Sequence, residues 1–238
     1  MINEATDVMR KSIAQTLDIY NFISSTYYTL RIADLGCATG PNTFFVVQNI
    51  IDAVVLKLES AGQSASLLPE FQVFFSDKAS NDFNQLFSTL PSEMKYFSSG
   101  VPGSFHGRLF PRASLHLVHS SFALHFLSRL PEGVADKSSP AWNKGKISYS
   151  NSTPEDVKAY EDQYAKDLES FLKAREEEIV HGGLMIFLIP FRDSETPHSQ
   201  APVNKTFEIL GSCLIEMVNK VTYHRFVFLT GKKKYQCV

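Results

Sequence analysis

Apolar runs long enough to cross a bilayer are missing from this sequence. The longest, residues 184–191, falls far short of the roughly 20 residues that a membrane helix needs, which excludes a membrane partner of the spanning kind. The first 18 residues carry charges throughout and hold no apolar core of signal-peptide length. Cysteine is scarce: Cys37, Cys213 and Cys237 are odd in number, far apart, and form no Cys-x-x-Cys or metal-spaced His pairing. A disulfide framework is thereby excluded, and free thiols in a reducing compartment are expected. Basic clusters are also few. The formal charge is −2, and apart from Lys232 to Lys234 the positive residues are scattered, so no face suited to phosphate backbones emerges and nucleic acid is excluded as a partner. A soluble, cytoplasmic protein follows from these absences.

What is present is an ordinary globular composition, with 44% hydrophobic and 20% charged residues, in a chain of 238 residues that suits one sizeable α/β domain. Phenylalanine is plentiful, at 19 residues. A pocket for a flat apolar ligand and a Phe-rich core are both compatible with that count.

One stretch organises the rest. Arg31-Ile-Ala-Asp-Leu-Gly-Cys-Ala-Thr-Gly-Pro-Asn-Thr43 reads as strand, tight loop and helix. Gly36 and Gly40 let the backbone turn sharply and approach a ligand, Asn42 or Thr43 is placed to cap the helix, and Asp34 offers an acceptor at the strand's carboxyl end. In an open α/β sheet ligands bind just outside those ends. The spacing Gly36-x-x-x-Gly40 departs from the Gly-x-Gly-x-x-Gly of dinucleotide folds, which disfavours nicotinamide binding. A loop wrapping the amino acid end of S-adenosylmethionine (SAM) and a plain strand-to-helix turn both remain open at this point.

Along the chain, residues 1–22 read as an amphipathic helix and residues 42–60 as the most regular helix, with an apolar stripe from Phe44 to Leu58. Residues 71–76 form a second strand ending at Asp77, which is either a turn residue or an acceptor for a ribose diol. A helix is expected over residues 80–90, then a turn-rich segment over 101–111 in which Ser104 can reach an adenine edge and Phe105 its face. Residues 115–120 make a third strand and 121–130 a short helix bearing Phe122, His125 and Phe126. Thr153 and Pro154 start a long charged helix, expected to end at Gly182 and Gly183; a buried strand over 184–190, a helix over 205–220 and a last strand over 221–230 complete the reading.

Four motifs then occur in order: Asp34-Leu-Gly-Cys-Ala-Thr-Gly-Pro-Asn-Thr43; Ser76-Asp77 followed by Ser80-Asn-Asp-Phe-Asn84; Val101-Pro-Gly-Ser-Phe105 with Gly107-Arg-Leu-Phe-Pro111; and His119-Ser-Ser-Phe-Ala-Leu-His-Phe-Leu-Ser128. Together they resemble the plant SABATH methyltransferases of specialised metabolism, the salicylate, benzoate and theobromine group, over residues 5–220. The resemblance implies a doubly wound, mostly parallel, Rossmann-like class I methyltransferase sheet, with residues 1–238 as a single core domain. It implies methyl transfer from SAM to the carboxylate of a small molecule, giving a methyl ester, or to a xanthine nitrogen in the caffeine branch. A non-catalytic SAM-binding relative is the other alternative.

By position in those motifs, Asp34, Gly36, Cys37 and Asn42 fall at the cofactor's amino acid end, Asp77 and Lys78 at its ribose, and Ser104 and Phe105 at its adenine. Phe122, His125 and Phe126 fall on the substrate pocket, and Asn143 on a magnesium site of some members. A homodimer is implied as well. The sequence departs from the family pattern at Phe126, where a Trp is usual, and at Lys78, where Leu is common. A leader ahead of Met1 and a helical cap, on the order of a hundred residues at about positions 220 to 221, are expected to be absent from this sequence. Because a carboxylic acid is ionised at neutral pH, no general base is required, and His125 reads as a hydrogen-bonding pocket wall or as an edge-of-core histidine.

Overall fold

The computed structural model describes residues 2–19, 28–63, 68–144, 146, 149, 152–193, 195–197 and 200–219. The expected last strand over 221–230, the site of the cap, the lysine cluster and Cys237 lie outside the described residues. The elements run α1 (Ile2–Thr16), β1 (Thr29–Leu35), α2 (Asn42–Ser60), β2 (Glu70–Asp77), α3 (Phe83–Ser88), β3 (Phe97–Pro102), β4 (Leu115–Ser121), α4 (Pro154–Glu178), β5 (Ile179–Leu188) and α5 (Pro202–Asn219).

All neighbouring strands pair in parallel, in the order β3-β2-β1-β4-β5. Chain order reverses between β1 and β4, which creates the switch point at which open α/β sheets bind ligands. This is the doubly wound, Rossmann-like sheet that the sequence implies. Both faces of the inner strands β1 and β4 are covered, whereas β5, expected to be a buried strand, holds no fully buried residue; the residues of β1 show how. Leu30 and Ile32 of β1 join Val47, Ile50, Ile51, Val54 and Leu58 of α2 and Ile13 and Leu17 in one core cluster. Ala33 and Leu35 join Phe105, Phe110, Leu124 and Phe171 in the other. Strands covered twice carry continuous apolar runs, which is why alternation in this sequence is imperfect. Each fully buried Leu, Ile or Phe contributes roughly 1.5–3 kcal/mol.

The chain divides into two compact units. One comprises residues 1–124 and 168–189 and contains the sheet. The other comprises 125–167 and the residues from 190 onward; its core is Leu127, Val134, Tyr149 and Tyr160, with the two tyrosine rings stacked at 4.7 Å between centroids.

Four local expectations are corrected. The strand β3 was not foreseen, because Phe-Ser-Ser-Gly-Val-Pro has little intrinsic strand preference and forms an edge only by pairing with β2. Residues 121–130 hold no helix: Phe122 has φ 50°, a left-handed conformation that breaks helical continuation. Gly182 and Gly183 do not end α4, which stops at Glu178 and passes straight into β5, where both glycines lie. A Cβ at Gly183 would stand 3.0 Å from the His116 carbonyl, so glycine is needed where β4 and β5 shift register. Finally, α2 has Pro41 at its cap position and no side-chain cap, since the Thr43 hydroxyl is used elsewhere.

His116 in β4 accepts the backbone N–H of Arg31 through Nδ1 at 3.1 Å, fastening β4 to β1. Burial, with the Arg31 charge second, pulls its pKa down to about 4. The native ring therefore stays neutral while the unfolded ring takes a proton below its ordinary value of about 6.5. Stability supplied by this group is present above that value and is lost as pH falls toward about 4. We expect the unfolding free energy from urea titration to drop between pH 7 and pH 4.5 by an amount on the order of 1–3 kcal/mol. In His116→Gln this segment should be visibly flatter; an unaltered slope would remove His116 as its source.

Candidate functional site

The glycine loop leaves β1 at the switch point, and its first turn is held by the neighbouring strand: the N–H groups of Gly36 and Cys37 both donate to the Ser76 carbonyl, at 2.8 and 3.1 Å. Gly36 has φ 87°, and a Cβ there would stand 2.3 Å from the Cβ of Ala123, so only glycine fits. Gly40, by contrast, faces open space. Ala38 is also left-handed, at φ 52°, a conformation costing a non-glycine residue about 1–2 kcal/mol. It is held from both sides. Its N–H donates to Asp77 Oδ2 at 2.8 Å and its carbonyl accepts from Asn81 Nδ2 at 3.0 Å.

Asp34 sits beneath this loop, 4% exposed. One carboxylate oxygen accepts the Thr43 hydroxyl and the other lies 2.7 Å from His119 Nδ1. Both oxygens thus have partners within the protein, and Asp34 braces the loop from below. Cys37 is buried, and its thiol is pushed well up by burial first and by the charges of Asp34 and Asp77 second. Asn42 is exposed at the first turn of α2.

At the end of β2, Asp77 is half-buried; its Oδ1 accepts the Lys78 N–H at 2.7 Å, and Lys78 itself is half-buried. The Asp77 carbonyl accepts from Gly103 N at 2.8 Å, which brings the 103–110 loop to the same edge. Ser104 is exposed there. Phe105 is buried, edge-on to Phe171 at 6.0 Å and within 3.9 Å of the place where a Gly36 Cβ would sit. Asp34, Gly36, Cys37, Asn42, Asp77, Lys78, Ser104 and Phe105 are therefore gathered at the carboxyl ends of β1, β2 and β3. Phe122, 55% exposed, follows β4 in the same unit, its N–H bound to the Leu188 carbonyl.

His125, Phe126 and Asn143 belong to the second unit. The His125 and Phe126 rings are tilted together at 4.4 Å, and burial lowers the His125 pKa, leaving the ring neutral at neutral pH. Its segment is anchored by Asp167, which accepts from the Ser128 N–H at 2.8 Å, from Ser128 Oγ at 2.6 Å and from Gln163 Nε2 at 2.8 Å. Asn143 donates to the Lys146 carbonyl at 3.3 Å. Among the described residues no group of three or more His, Cys, Asp or Glu side chains could hold a metal ion. The described residues thus hold no such group for the magnesium that the resemblance implies.

Sequence reading did not single out Thr43 as a partner of Asp34, nor His119, Asn81, Gln163 and Asp167. The strand register explains His119: Asp34 and His119 are paired residues of β1 and β4, a proximity that spacing along the chain does not reveal.

Comparison with known proteins bears on this arrangement directly. The profile of the family described as SAM dependent carboxyl methyltransferase matches residues 1–224. Loganic acid O-methyltransferase of Catharanthus roseus is 45% identical over 222 residues, covering 92% of this chain and 59% of that protein. Farnesoic acid carboxyl-O-methyltransferase of Arabidopsis thaliana is 43% identical over 220 residues, covering 92% and 61%. The solved structure of loganic acid methyltransferase with SAH superposes with a TM-score of 0.87 at 44% identity, over 93% of this chain and 62% of that one. The chain thus spans about three fifths of the length of these relatives.

The two described thiols should differ sharply in reactivity. Thiolate is the nucleophilic form, so a raised pKa and burial both protect Cys37, whereas Cys213 is exposed. With N-ethylmaleimide at pH 7.5, peptide mapping should find Cys213 labelled at least about tenfold faster than Cys37. Equal labelling would mean that the glycine loop opens readily in solution.

Proposed function

This chain belongs to the SAM dependent carboxyl methyltransferase family, and on that premise we propose that it methylates the carboxylate of a small molecule, with SAM as methyl donor, to give a methyl ester. The observation that carries the reading is the convergence of the glycine loop, Asp77 and the 103–110 loop at the switch point of a parallel sheet. SAM, when bound, supplies a methyl group on a sulfonium sulfur. Residues 1–238 act in this reading as one methyltransferase core.

The residues present fit that cofactor. Cys37 and Asn42, on the loop and the first turn of α2, would hold its amino acid end, where exposed N–H groups at a helix start suit a carboxylate. Asp77, with Lys78 beside it, would accept from the ribose hydroxyls, and Ser104 and Phe105 would take the adenine edge and ring. Asp34 and Gly36 act by shaping the loop. On the acceptor side, Phe122 and Phe126 offer apolar surface and neutral His125 a hydrogen-bonding wall. The acid arrives ionised, so no proton need be moved, and positioning with exclusion of water is the chain's contribution, worth roughly 7–11 kcal/mol when geometry is good. A cytoplasmic homodimer without nucleic-acid contacts belongs to the same reading, which sedimentation of the purified protein would test by its mass.

Two measurements separate this reading from its rivals. Titration of S-adenosylhomocysteine into the protein should show binding, and Asp77→Ala should weaken it by about ten- to a hundredfold, the loss of charge-assisted bonds worth roughly 1.5–3 kcal/mol. Asp77→Asn, which still accepts from Ala38, should fall between. An unchanged affinity in Asp77→Ala would remove the ribose assignment. A panel of small carboxylic acids and xanthines with methyl-labelled SAM should then give base-labile methyl esters; base-stable N-methyl products would favour the xanthine chemistry, and no product with firm binding a non-catalytic relative.

A further inference from the structure

The last turns of α4 carry a charged pair that the site described above does not use. Arg175 and Glu178 are both fully buried, with Arg175 Nη2 and Glu178 Oε2 2.8 Å apart. A buried pair is expensive: desolvation of two charges commonly exceeds their attraction unless further hydrogen bonds satisfy them. Here those bonds all go to one loop. Arg175 Nη1 donates to the Phe105 carbonyl and Nη2 to the Gly107 carbonyl, each at 2.9 Å. Glu178 Oε1 accepts the N–H groups of Leu109 and Phe110, the latter at 2.9 Å. Ser170, further back on the same helix, donates to the His106 carbonyl at 2.8 Å. Three consecutive carbonyls and two consecutive N–H groups of residues 105–110 are thus fixed by side chains of α4. The guanidinium also lies 5.0 Å from the centroid of Phe171, the ring that meets Phe105 edge-on.

We propose that Arg175 and Glu178 are positioning residues for cofactor recognition: they set the backbone of the 103–110 loop so that Ser104 and Phe105 meet the purine of the cofactor. The inference rests on the reading given under Proposed function, that Ser104 and Phe105 hold the adenine. Two features separate the clamp from plain filling of a core. Replacing a buried ion pair by apolar residues is often neutral, but here it would strand the carbonyls of Phe105 and Gly107 and the N–H groups of Leu109 and Phe110, so what the charges bind is what distinguishes them. What they bind is the backbone on either side of His106, a segment in which Gly107 N also donates to the Ser104 carbonyl.

The test compares S-adenosylhomocysteine with S-inosylhomocysteine, which differs from it at the purine edge. Arg175→Lys keeps a positive charge but lacks the planar fork needed to reach both carbonyls. In the folded variant, affinity for S-adenosylhomocysteine should fall about tenfold, and its preference over the inosine analogue should shrink toward unity, while the KM for the acid acceptor stays as in the wild type. A merely structural role would not change base preference. Should Arg175→Lys fail to fold, Ser170→Ala removes only the bond to His106 and is expected to narrow the same preference by about twofold. A folded Arg175→Lys with wild-type affinity and wild-type preference overturns the clamp alone. Failure of the wild-type protein to bind S-adenosylhomocysteine overturns the clamp together with the reading it rests on.

Discussion

The carboxylate of Asp34 ties together the three elements that define the switch point. It closes β1, takes the hydroxyl of Thr43 from the first turn of α2, and meets the ring of His119 on β4. With 4% of its surface exposed, it satisfies both oxygens inside the protein, as a buried carboxylate must if it is not to cost several kcal/mol. Because its two partners come from the two directions in which the sheet is wound, their positions fix the mouth of the glycine loop. Everything placed there depends on that fastening: the turn at Gly36, the buried thiol of Cys37 and the left-handed Ala38.

A second carboxylate does the complementary work from above. Asp77 accepts from Ala38 and from Lys78, and its backbone carbonyl receives Gly103. The strain of Ala38 is thus offset by groups that also define the candidate ribose site. Two acidic residues at the ends of adjacent strands divide the labour, one buried beneath the loop and the other half-exposed beside it.

Much of this was readable from sequence, and the reason differs from part to part. The helix over residues 42–60 was legible because one face is apolar at helical spacing, and β1 with its loop because glycine and aspartate there have few physical substitutes. The candidate site residues were picked out through ordered motifs, and the fold brings those at the ends of β1, β2 and β3 to one edge of the sheet. What sequence did not reveal was set by register and tertiary pairing. The strand β3 has no strand-like composition of its own; Gly182 and Gly183, good helix terminators in isolation, serve a register shift beside His116; Asp34 looked like a free acceptor until His119 and Thr43 were brought to it by the fold. Arg175, Glu178 and Asp167 lie in a helix whose sequence is charged throughout, so nothing along the chain marks them as buried; they are buried because they serve the backbone of neighbouring loops.

The winding order has a consequence for synthesis. β1 and its loop emerge early, yet the residue that completes the Asp34 contact, His119, lies 85 positions further along the chain. At translation speeds of about 5–20 residues per second, the ribosome takes roughly 4–17 s to deliver it. The arginine that holds the loop at Phe105 lies 70 positions beyond that residue. For that interval the newborn chain carries the apolar centre of a parallel sheet with one flank unpaired, the kind of exposure that chaperones recognise. A frameshift or stop falling between β4 and Arg175 would therefore leave a polypeptide that contains the glycine loop and Asp77 yet lacks the side chains of Arg175 and Glu178 that hold residues 105–110.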